Sequence, residues 1–124
     1  MTILTATPKA GHFLVSEANG TRSRKQVTIK AGEDLAAGTV MAMETNTGHY
    51  VALDPDDTVQ DVNVARGILY DAVDATDGEK QGVIINCDAE VNAAELVWAG
   101  GDADDSDERA AAKAELEALG IKMR

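Results

Sequence analysis

The sequence predicts a mainly β domain, a small β-barrel, with one short C-terminal α-helix and a flexible N-terminal arm. Two apolar runs, at residues 64–73 and 82–91, are rich in Val, Ile and Leu, have the length of strands and are separated by the turn pair Asp77-Gly78. After Trp98 the composition changes abruptly to Ala and acidic residues, which predicts a helix.

Glycines near the start of each apolar run predict that the two strands curve. Gly67 and Gly82 permit a bulge or a close approach of neighbouring backbone, which would bend the pair into a barrel. Apolar and polar residues alternate imperfectly in the first run, as expected where both faces of a strand are partly covered. In the second run the alternation becomes cleaner toward the end, where one face turns polar.

Three shorter strands are predicted upstream, at residues 26–30, 40–44 and 50–53. The first alternates cleanly, with Val27 and Ile29 on one face. The loop between the other two contains Gly48, which we expect at a position of positive φ. Leu35 is the one inward-pointing residue expected in the preceding connection.

We divide the chain into an N-terminal arm, residues 1–21, and a β-rich domain, residues 22–124. Residues 1–11 show no hydrophobic periodicity and offer little to bury, which is typical of a flexible segment. Residues 12–17 have the character of a short strand, with Phe13 and Val15 predicted on one face. These residues therefore have two interpretations, as part of the arm or as an edge strand of the domain.

A single helix is predicted at about residues 105–119. Asp105 is a plausible N-cap, and Glu108 stands three positions later, as in a capping box. Gly120 is placed to end the helix in the left-handed conformation, and Ile121 to pack back on it.

The charge is divided unequally along the chain, whose net charge is −11. Residues 1–30 carry five basic residues against one acidic residue, whereas residues 31–124 carry six basic and 21 acidic residues. An acidic body repels phosphates and anionic lipids, so we expect neither a nucleic-acid nor a membrane partner. No apolar run reaches the length that crosses a bilayer, and no secretion signal is visible.

No catalytic, metal or cofactor site is predicted. His12 and His49 lack a nucleophile in a recognisable motif, and the acidic runs at residues 54–57 and 102–108 do not match a calcium-binding loop. Cys87 is predicted to be a buried, inert thiol in the middle of a strand. We therefore expect no enzyme, and a single cysteine fits synthesis in a reducing cytoplasm.

Several segments together resemble the phage head decoration protein family typified by the phage lambda protein. In chain order, the segments that carry the resemblance are SRKQVTIKAGEDLAAGTVMAM, TGHYVALD, VARGILYDAVDATDG, GVIINCDAEVNAAELVW and the acidic helix DADDSDERAAAKAELEALGI. The resemblance covers residues 22–124, and it is the combination and order of these segments that make it specific.

The resemblance implies a β-tulip-like barrel that assembles as a homotrimer on the outer surface of the virion. Such trimers sit at three-fold sites of the expanded capsid and cement neighbouring capsomers of the major capsid protein against DNA pressure. It also implies synthesis in the host cytoplasm and no catalytic residues. In this family the N-terminal arm meets the capsid. Candidate arm residues are Phe13, Leu14 and Val15 as apolar anchors, with Arg22, Arg24 and Lys25 as steering charges.

Two other functions stay open at this point. A small acidic β-barrel that binds a ligand or acts as an enzyme predicts a concave pocket and a carboxylate of raised pKa. A tail or connector protein of the same virion predicts a six-fold ring in place of a trimer.

Overall fold

The computed structural model describes residues 10–18, 22–54, 62–98 and 106–124, the last of these with side chains from residue 109 onward. Within these ranges the chain forms ten strands, one 3₁₀ helix and one α-helix. The strands are β1 Leu14–Glu17, β2 Arg24–Ile29, β3 Asp34–Leu35, β4 Val40–Met43, β5 Tyr50–Ala52, β6 Gly67–Leu69, β7 Val73–Asp74, β8 Lys80–Ile85, β9 Ala89–Val91 and β10 Ile121–Met123. The 3₁₀ helix is Ala93–Glu95, and α1 is Ser106–Ala118. The prediction of a mainly β chain with one short C-terminal helix is confirmed.

Five strands close into a barrel in the order β2-β5-β4-β6-β8. The longest pairing joins β2 and β8, which are antiparallel over six residue pairs. Strand β5 completes the wall by pairing antiparallel with β4 and, through Ile29 and Tyr50, parallel with β2. Closure leaves the wall without free edges, which is how small barrels avoid edge-to-edge aggregation.

Part of the barrel wall, in β4, β6 and the end of β8, is buried on both faces, which explains the imperfect alternation of its sequence. Neighbouring residues of one strand belong to two different apolar clusters, as Ile68 and Leu69 do in β6 and Ile85 and Ile84 do in β8. One cluster also contains Leu35, the predicted anchor, which is buried. A strand covered on both sides can carry a continuous apolar run, and this is the physical reason for the β-branched stretches.

Two glycines permit the close approaches that the curvature of the wall requires. A methyl group at Gly67 would lie 2.9 Å from the Ile85 carbonyl oxygen, and one at Gly82 would lie 3.0 Å from Ile29 Cγ1. The prediction of a close backbone approach is confirmed at Gly67, whereas at Gly82 the atoms that come close belong to the side chains of Ile29 and Val73. Gly48 has φ of +75°, so the positive φ predicted for the β4–β5 loop is confirmed too.

Neither apolar run is one strand, as the sequence suggested. The first contains β6, in the barrel, and the start of β7, which pairs with β3 in a separate two-stranded sheet. The second consists of two strands with a turn between them. Strand β8 ends at Ile85 and β9 begins at Ala89, in a different sheet. Asp88, in the turn, has φ of +49°, a conformation that Asp tolerates better than most residues because its short side chain bonds locally. The turn carries the chain from the barrel to the second sheet.

The second sheet has the order β1-β9-β10 and is partly covered by α1. Strand β10 runs parallel to β9, and β1 runs antiparallel to it. Gly120, two residues past the end of α1, has φ of +92°, and Ile121 and Leu116 are buried together in the larger cluster, as predicted. The predicted N-cap Asp105 and the side chain of Glu108 lie outside the described residues. None of the helices in the described ranges is long and apolar enough to cross a membrane.

Candidate functional site

Residues 10–18, the described part of the predicted arm, are packed on the domain. Strand β1 pairs with β9, the Asn92 N–H donates to the Phe13 carbonyl oxygen at 2.8 Å, and the Gly11 N–H donates to the Tyr70 carbonyl oxygen at 2.8 Å. The edge-strand interpretation of residues 12–17 is therefore the arrangement that the structure shows. The other residues of the predicted arm, 1–9 and 19–21, lie outside the described ranges.

Phe13 belongs to the hydrophobic core. Its side chain has no exposed area and packs in the larger apolar cluster, and its ring meets the His12 ring edge-on at 5.6 Å between centroids. The His12 Nε2 atom lies 3.1 Å from the Glu95 carbonyl oxygen, and this contact joins residues 10–18 to the 3₁₀ helix. In the folded chain Phe13 is not accessible to a partner.

Val15 is presented to solvent by an irregularity in β1. The register of β1 against β9 shifts between Leu14 and Ser16, so Val15 is the bulged residue, and it is 55% exposed. The prediction that Phe13 and Val15 share one face is wrong, because a bulge breaks the two-residue alternation of a strand. Leu14 is partly buried against the core. Val15 is thus the one of the three apolar candidates that lies open at the surface.

An ion pair fastens β1 to the start of β2. The Arg24 Nη2 atom donates to Glu17 Oε1 at 2.5 Å, the Arg24 Nε atom donates to Glu17 Oε2 at 3.1 Å, and the buried Ser23 hydroxyl also donates to Oε2. The hydrogen bonds from Arg24 hold the pKa of Glu17 below its usual value, with a smaller contribution from Ser23. A two-pronged guanidinium–carboxylate pair fixes geometry as well as charge.

The three basic candidates therefore divide into one partly exposed residue that is paired within the domain, Arg24, and two exposed ones. The Arg24 guanidinium is bonded to Glu17 and stacks 4.1 Å above the centroid of the Tyr70 ring. Arg22 and Lys25 are exposed on either side of it. Of the three, only Arg22 and Lys25 present cationic groups that make no ion pair with another described residue.

Cys87 lies in the turn between β8 and β9, not in the middle of a strand as predicted. It is partly exposed, and its thiol lies 3.3 Å from the Arg22 carbonyl oxygen, which accepts its weak hydrogen bond. Burial, followed by the neighbouring Asp88, raises the pKa of the Cys87 thiol. At neutral pH the thiolate is therefore scarce, which is unfavourable for a nucleophile.

Two carboxylates, Glu33 and Glu44, bear on the alternative that the domain is an enzyme or a ligand-binding module that uses a carboxylate. Burial raises the pKa of Glu33, but Glu33 does not line the grooves that the described residues form beside Ile121, Trp98 and Tyr70. Glu44 is buried, and Lys30 Nζ at 2.8 Å lowers its pKa, while the Thr47 hydroxyl donates to its other oxygen at 3.0 Å. Glu44 thus joins the β4–β5 turn to the end of β2, which is a structural role.

The structure also shows contacts that sequence reasoning missed. No local pattern indicates the Glu17–Arg24 pair or the stacking of Arg24 on Tyr70, because the partners meet only after the chain has folded. Within the described ranges no group of three or more His, Cys, Asp or Glu side chains is arranged to hold a metal ion.

Comparison with known proteins identifies the family. The family model described as the bacteriophage lambda head decoration protein D matches residues 3–121, nearly the whole chain. The match therefore includes residues 3–21, which lie upstream of the residues 22–124 that carry the resemblance in the sequence. A comparison with curated proteins returned no match. The chain belongs to the bacteriophage lambda head decoration protein D family.

Proposed function

We propose that the protein binds as a homotrimer at three-fold sites of the expanded phage capsid and cements neighbouring capsomers of the major capsid protein. It does so without catalysis, on the outer surface of the virion, after synthesis in the host cytoplasm. The observation that carries this proposal is the family match over residues 3–121. The closed barrel with its covered second sheet supports a rigid structural role.

The capsid contact is made by the residues upstream of Phe13 together with the exposed surface that β1 and β2 share. Phe13 is buried in the core and Arg24, which is partly exposed, is paired with Glu17, and both contacts hold this surface in place. Val15 supplies an exposed apolar contact, and Arg22 and Lys25 supply positive charge that draws the trimer toward an acidic partner. Residues 1–9 add affinity by pairing with an exposed strand of the capsid protein.

Three such arms on one trimer raise affinity through their effective concentration. Each arm pays a conformational cost when it binds, so a single arm binds weakly. Once the first arm is bound, the second and third meet their sites at roughly millimolar effective concentration, which raises the avidity by about 10²–10⁴-fold.

The proposal is tested by co-sedimentation with expanded, undecorated heads. We expect the full chain to sediment as a trimer and to bind heads to saturation at three-fold sites. A variant lacking residues 2–9 keeps every described residue and should remain a folded trimer while losing at least about tenfold in affinity. A deletion through residue 21 is a poor test, since it also removes Phe13 and β1 from the core.

A matched control distinguishes the effect of shortening the chain from the effect of losing the sequence of residues 2–9. A variant with residues 2–9 replaced by a Gly-Ser segment of equal length should bind as weakly as the deletion. If the deletion binds like the full chain, the arm contributes nothing, and the exposed β1–β2 surface carries the contact. If the full chain fails to bind heads at all, the proposed function is wrong.

A further inference from the structure

The outer face of the longest strand pairing in the barrel is open to solvent over part of its length. Along residues 26–29 and 81–84, alternate side chains point into the barrel and are buried, as Val27 and Ile84 are. The side chains between them point to the outer face and are exposed or half-buried. This outward surface, the β2–β8 strip, consists of Gln26, Thr28, Gln81 and Val83. Nothing in the proposed capsid contact uses it.

The β2–β8 strip carries no charge. Its side chains are two amides, one hydroxyl and one aliphatic group. The charged residue on the same face of the two strands is Arg24, at the start of β2, and its guanidinium is paired with Glu17. The chain has 22 Asp and Glu residues and a net charge of −11, so two copies repel each other over most of their surface. A sheet surface without carboxylates is a place where they can approach closely.

The polar side chains of the strip can hydrogen-bond to copies of themselves. The Gln81 Nε2 atom donates to the Thr28 hydroxyl at 2.9 Å across the two strands, which leaves the Gln81 amide oxygen as an acceptor. Gln26 makes no side-chain hydrogen bond with another residue in the described ranges. A primary amide contains two donors and an acceptor, so it pairs with an identical amide without any change of charge. Val83, the cross-strand partner of Gln26, adds an apolar contact.

A three-fold axis selects surfaces of this kind. Side chains beside the axis meet the same side chains of the other two subunits, because the rotation that builds the trimer repeats every contact. A carboxylate or an ammonium group there would face two like charges, which is costly. Amides and hydroxyls avoid this cost, since each group offers a donor and an acceptor. The six residue pairs between β2 and β8 hold the strip rigid, so little order has to be gained on assembly.

We propose that the β2–β8 strip faces the three-fold axis of the trimer, where the amides of Gln26 and Gln81 from three copies of this chain hydrogen-bond to one another. The inference rests on the proposed trimer and adds to it the surface through which the subunits recognise each other. The strip begins directly after Lys25 on β2, so the proposed capsid contact at Arg22 and Lys25 lies at one end of the strip and not within it.

The test places a charge of either sign at Gln26 and measures assembly by native mass spectrometry and sedimentation. Gln26→Glu and Gln26→Lys should each raise the midpoint concentration for trimer formation at least about tenfold, because three like charges then converge on the axis. Gln26 is exposed, so neither substitution removes a buried contact within the subunit, and circular dichroism checks that the fold is retained. Gln81→Glu and Gln81→Lys repeat the test on β8.

The lysine variant distinguishes the strip from a general effect of charge. Gln26→Lys moves the net charge of −11 one unit toward zero, so general repulsion predicts that assembly becomes slightly easier. The β2–β8 strip predicts that assembly becomes harder. A lysine variant that forms trimers as readily as the unchanged protein would overturn the inference.

A mixing experiment tests whether the strip meets its own copies. An equimolar mixture of Gln26→Glu and Gln26→Lys should form mixed trimers at lower concentration than either variant alone, because a glutamate in one subunit then meets a lysine in another. A strip that contacted a different surface of the neighbour would give no such rescue, since that surface is the same in both variants. A mixture that assembles no better than its components would therefore overturn the inference.

A matched control carries the same changes of charge to another exposed residue. Asn63 is exposed in the loop that α1 holds through a hydrogen bond from the Ala65 N–H to Glu115 Oε1 at 3.0 Å. Asn63→Glu and Asn63→Lys should each shift the midpoint less than about threefold. Control variants that weaken assembly as much as the Gln26 variants would overturn the role of the strip.

The outcomes separate this inference from the proposed function. If the Gln26 variants form trimers like the unchanged protein but fail to bind heads, the strip faces the capsid and the inference is wrong. If they form trimers and bind heads normally, the inference is wrong while the capsid-binding proposal stands. An unchanged protein that forms no trimer would overturn both proposals.

Discussion

At the scale of single residues, Phe13 and Val15 have opposite environments although they stand only two positions apart in the sequence. Phe13 is fully buried and Val15 is 55% exposed, although a regular strand would place both on one face. Val15 is the extra residue of the bulge in β1, and the bulge turns its side chain outward. One irregularity in a four-residue strand thus decides which side chain stabilises the fold and which is open to a partner.

Phe13 should be important for stability and Val15 should not. Replacing Phe13 by Ala removes a buried ring and leaves a cavity, so we expect the free energy of unfolding to fall by about 3–5 kcal/mol. Val15→Ala, at an exposed position in the same segment, should change it by less than about 0.5 kcal/mol. Urea denaturation of both variants measures the difference. Equal effects would show that residues 10–18 are not part of the cooperative core.

The Glu17–Arg24 pair should make stability depend on pH in a defined direction. Arg24 lowers the pKa of Glu17 in the folded state, so the pair stabilises fully above the ordinary pKa of 4.5 and progressively less as pH falls through the lower folded value. Glu17→Gln should therefore cost on the order of 1 kcal/mol at neutral pH. The cost should vanish in acid well below pH 4.5. Denaturant titrations of the variant and the unchanged protein across this range provide the measurement, and a cost that persists in acid would contradict the assignment.

At the scale of elements, curvature and double burial determine the barrel. Strands β6 and β8 carry apolar residues on both faces and approach each other closely at Gly67. A larger residue there would push the two strands apart where they are hydrogen-bonded. The wall therefore depends on the absence of a side chain at that position as well as on the side chains around it.

Gly67→Ala should destabilise the barrel more than a glycine substitution in an open turn. The new methyl group would lie 2.9 Å from the backbone oxygen of Ile85, which moves only if the strand moves, so we expect a cost of about 1–3 kcal/mol. At Gly48 an added methyl group meets no atom within 4 Å, so Gly48→Ala should cost only the strain of a positive φ, roughly 1 kcal/mol. Thermal unfolding of the two variants gives the comparison. A smaller loss for Gly67→Ala than for Gly48→Ala would argue against close packing of β6 on β8.

At the scale of the whole molecule, the distribution of charge favours a directional encounter. The first 30 residues are net positive and the remainder is strongly negative. An acidic partner would therefore be repelled by most of the surface and attracted near the N-terminal segment. Such steering changes the rate of association more than the rate of dissociation.

Capsid association should accordingly slow as salt is added. Raising the ionic strength from about 0.01 M to about 0.15 M shortens the Debye length from roughly 30 to 8 Å, and we expect the association rate constant to fall several-fold. The double variant Arg22→Ala with Lys25→Ala should bind more slowly at low salt and show a weaker salt dependence. Surface plasmon resonance on immobilised heads measures both rates. An unchanged salt dependence in this variant would exclude Arg22 and Lys25 as the steering charges.

Much of the fold could be predicted from local features of the sequence. Three features follow from local conformational or hydrophobic requirements. They are the turn glycine Gly48, the glycine Gly120 just past the helix, and the buried anchor Leu35. The β character follows from β-branched runs, and the barrel from glycines at points of close approach. Such features act over a few residues, so they can be recognised before the chain has folded.

The rest was decided by contacts between distant parts of the chain. By itself, the sequence determined a mainly β chain, one C-terminal helix and an acidic body with a basic beginning. Only the tertiary structure decided that Phe13 is core, that Arg24 is bound to Glu17 and that Arg109 lies over the Trp98 ring. The reason is physical: periodicity and propensity report what a residue prefers locally, whereas burial and pairing depend on which distant residues the folded barrel brings beside it.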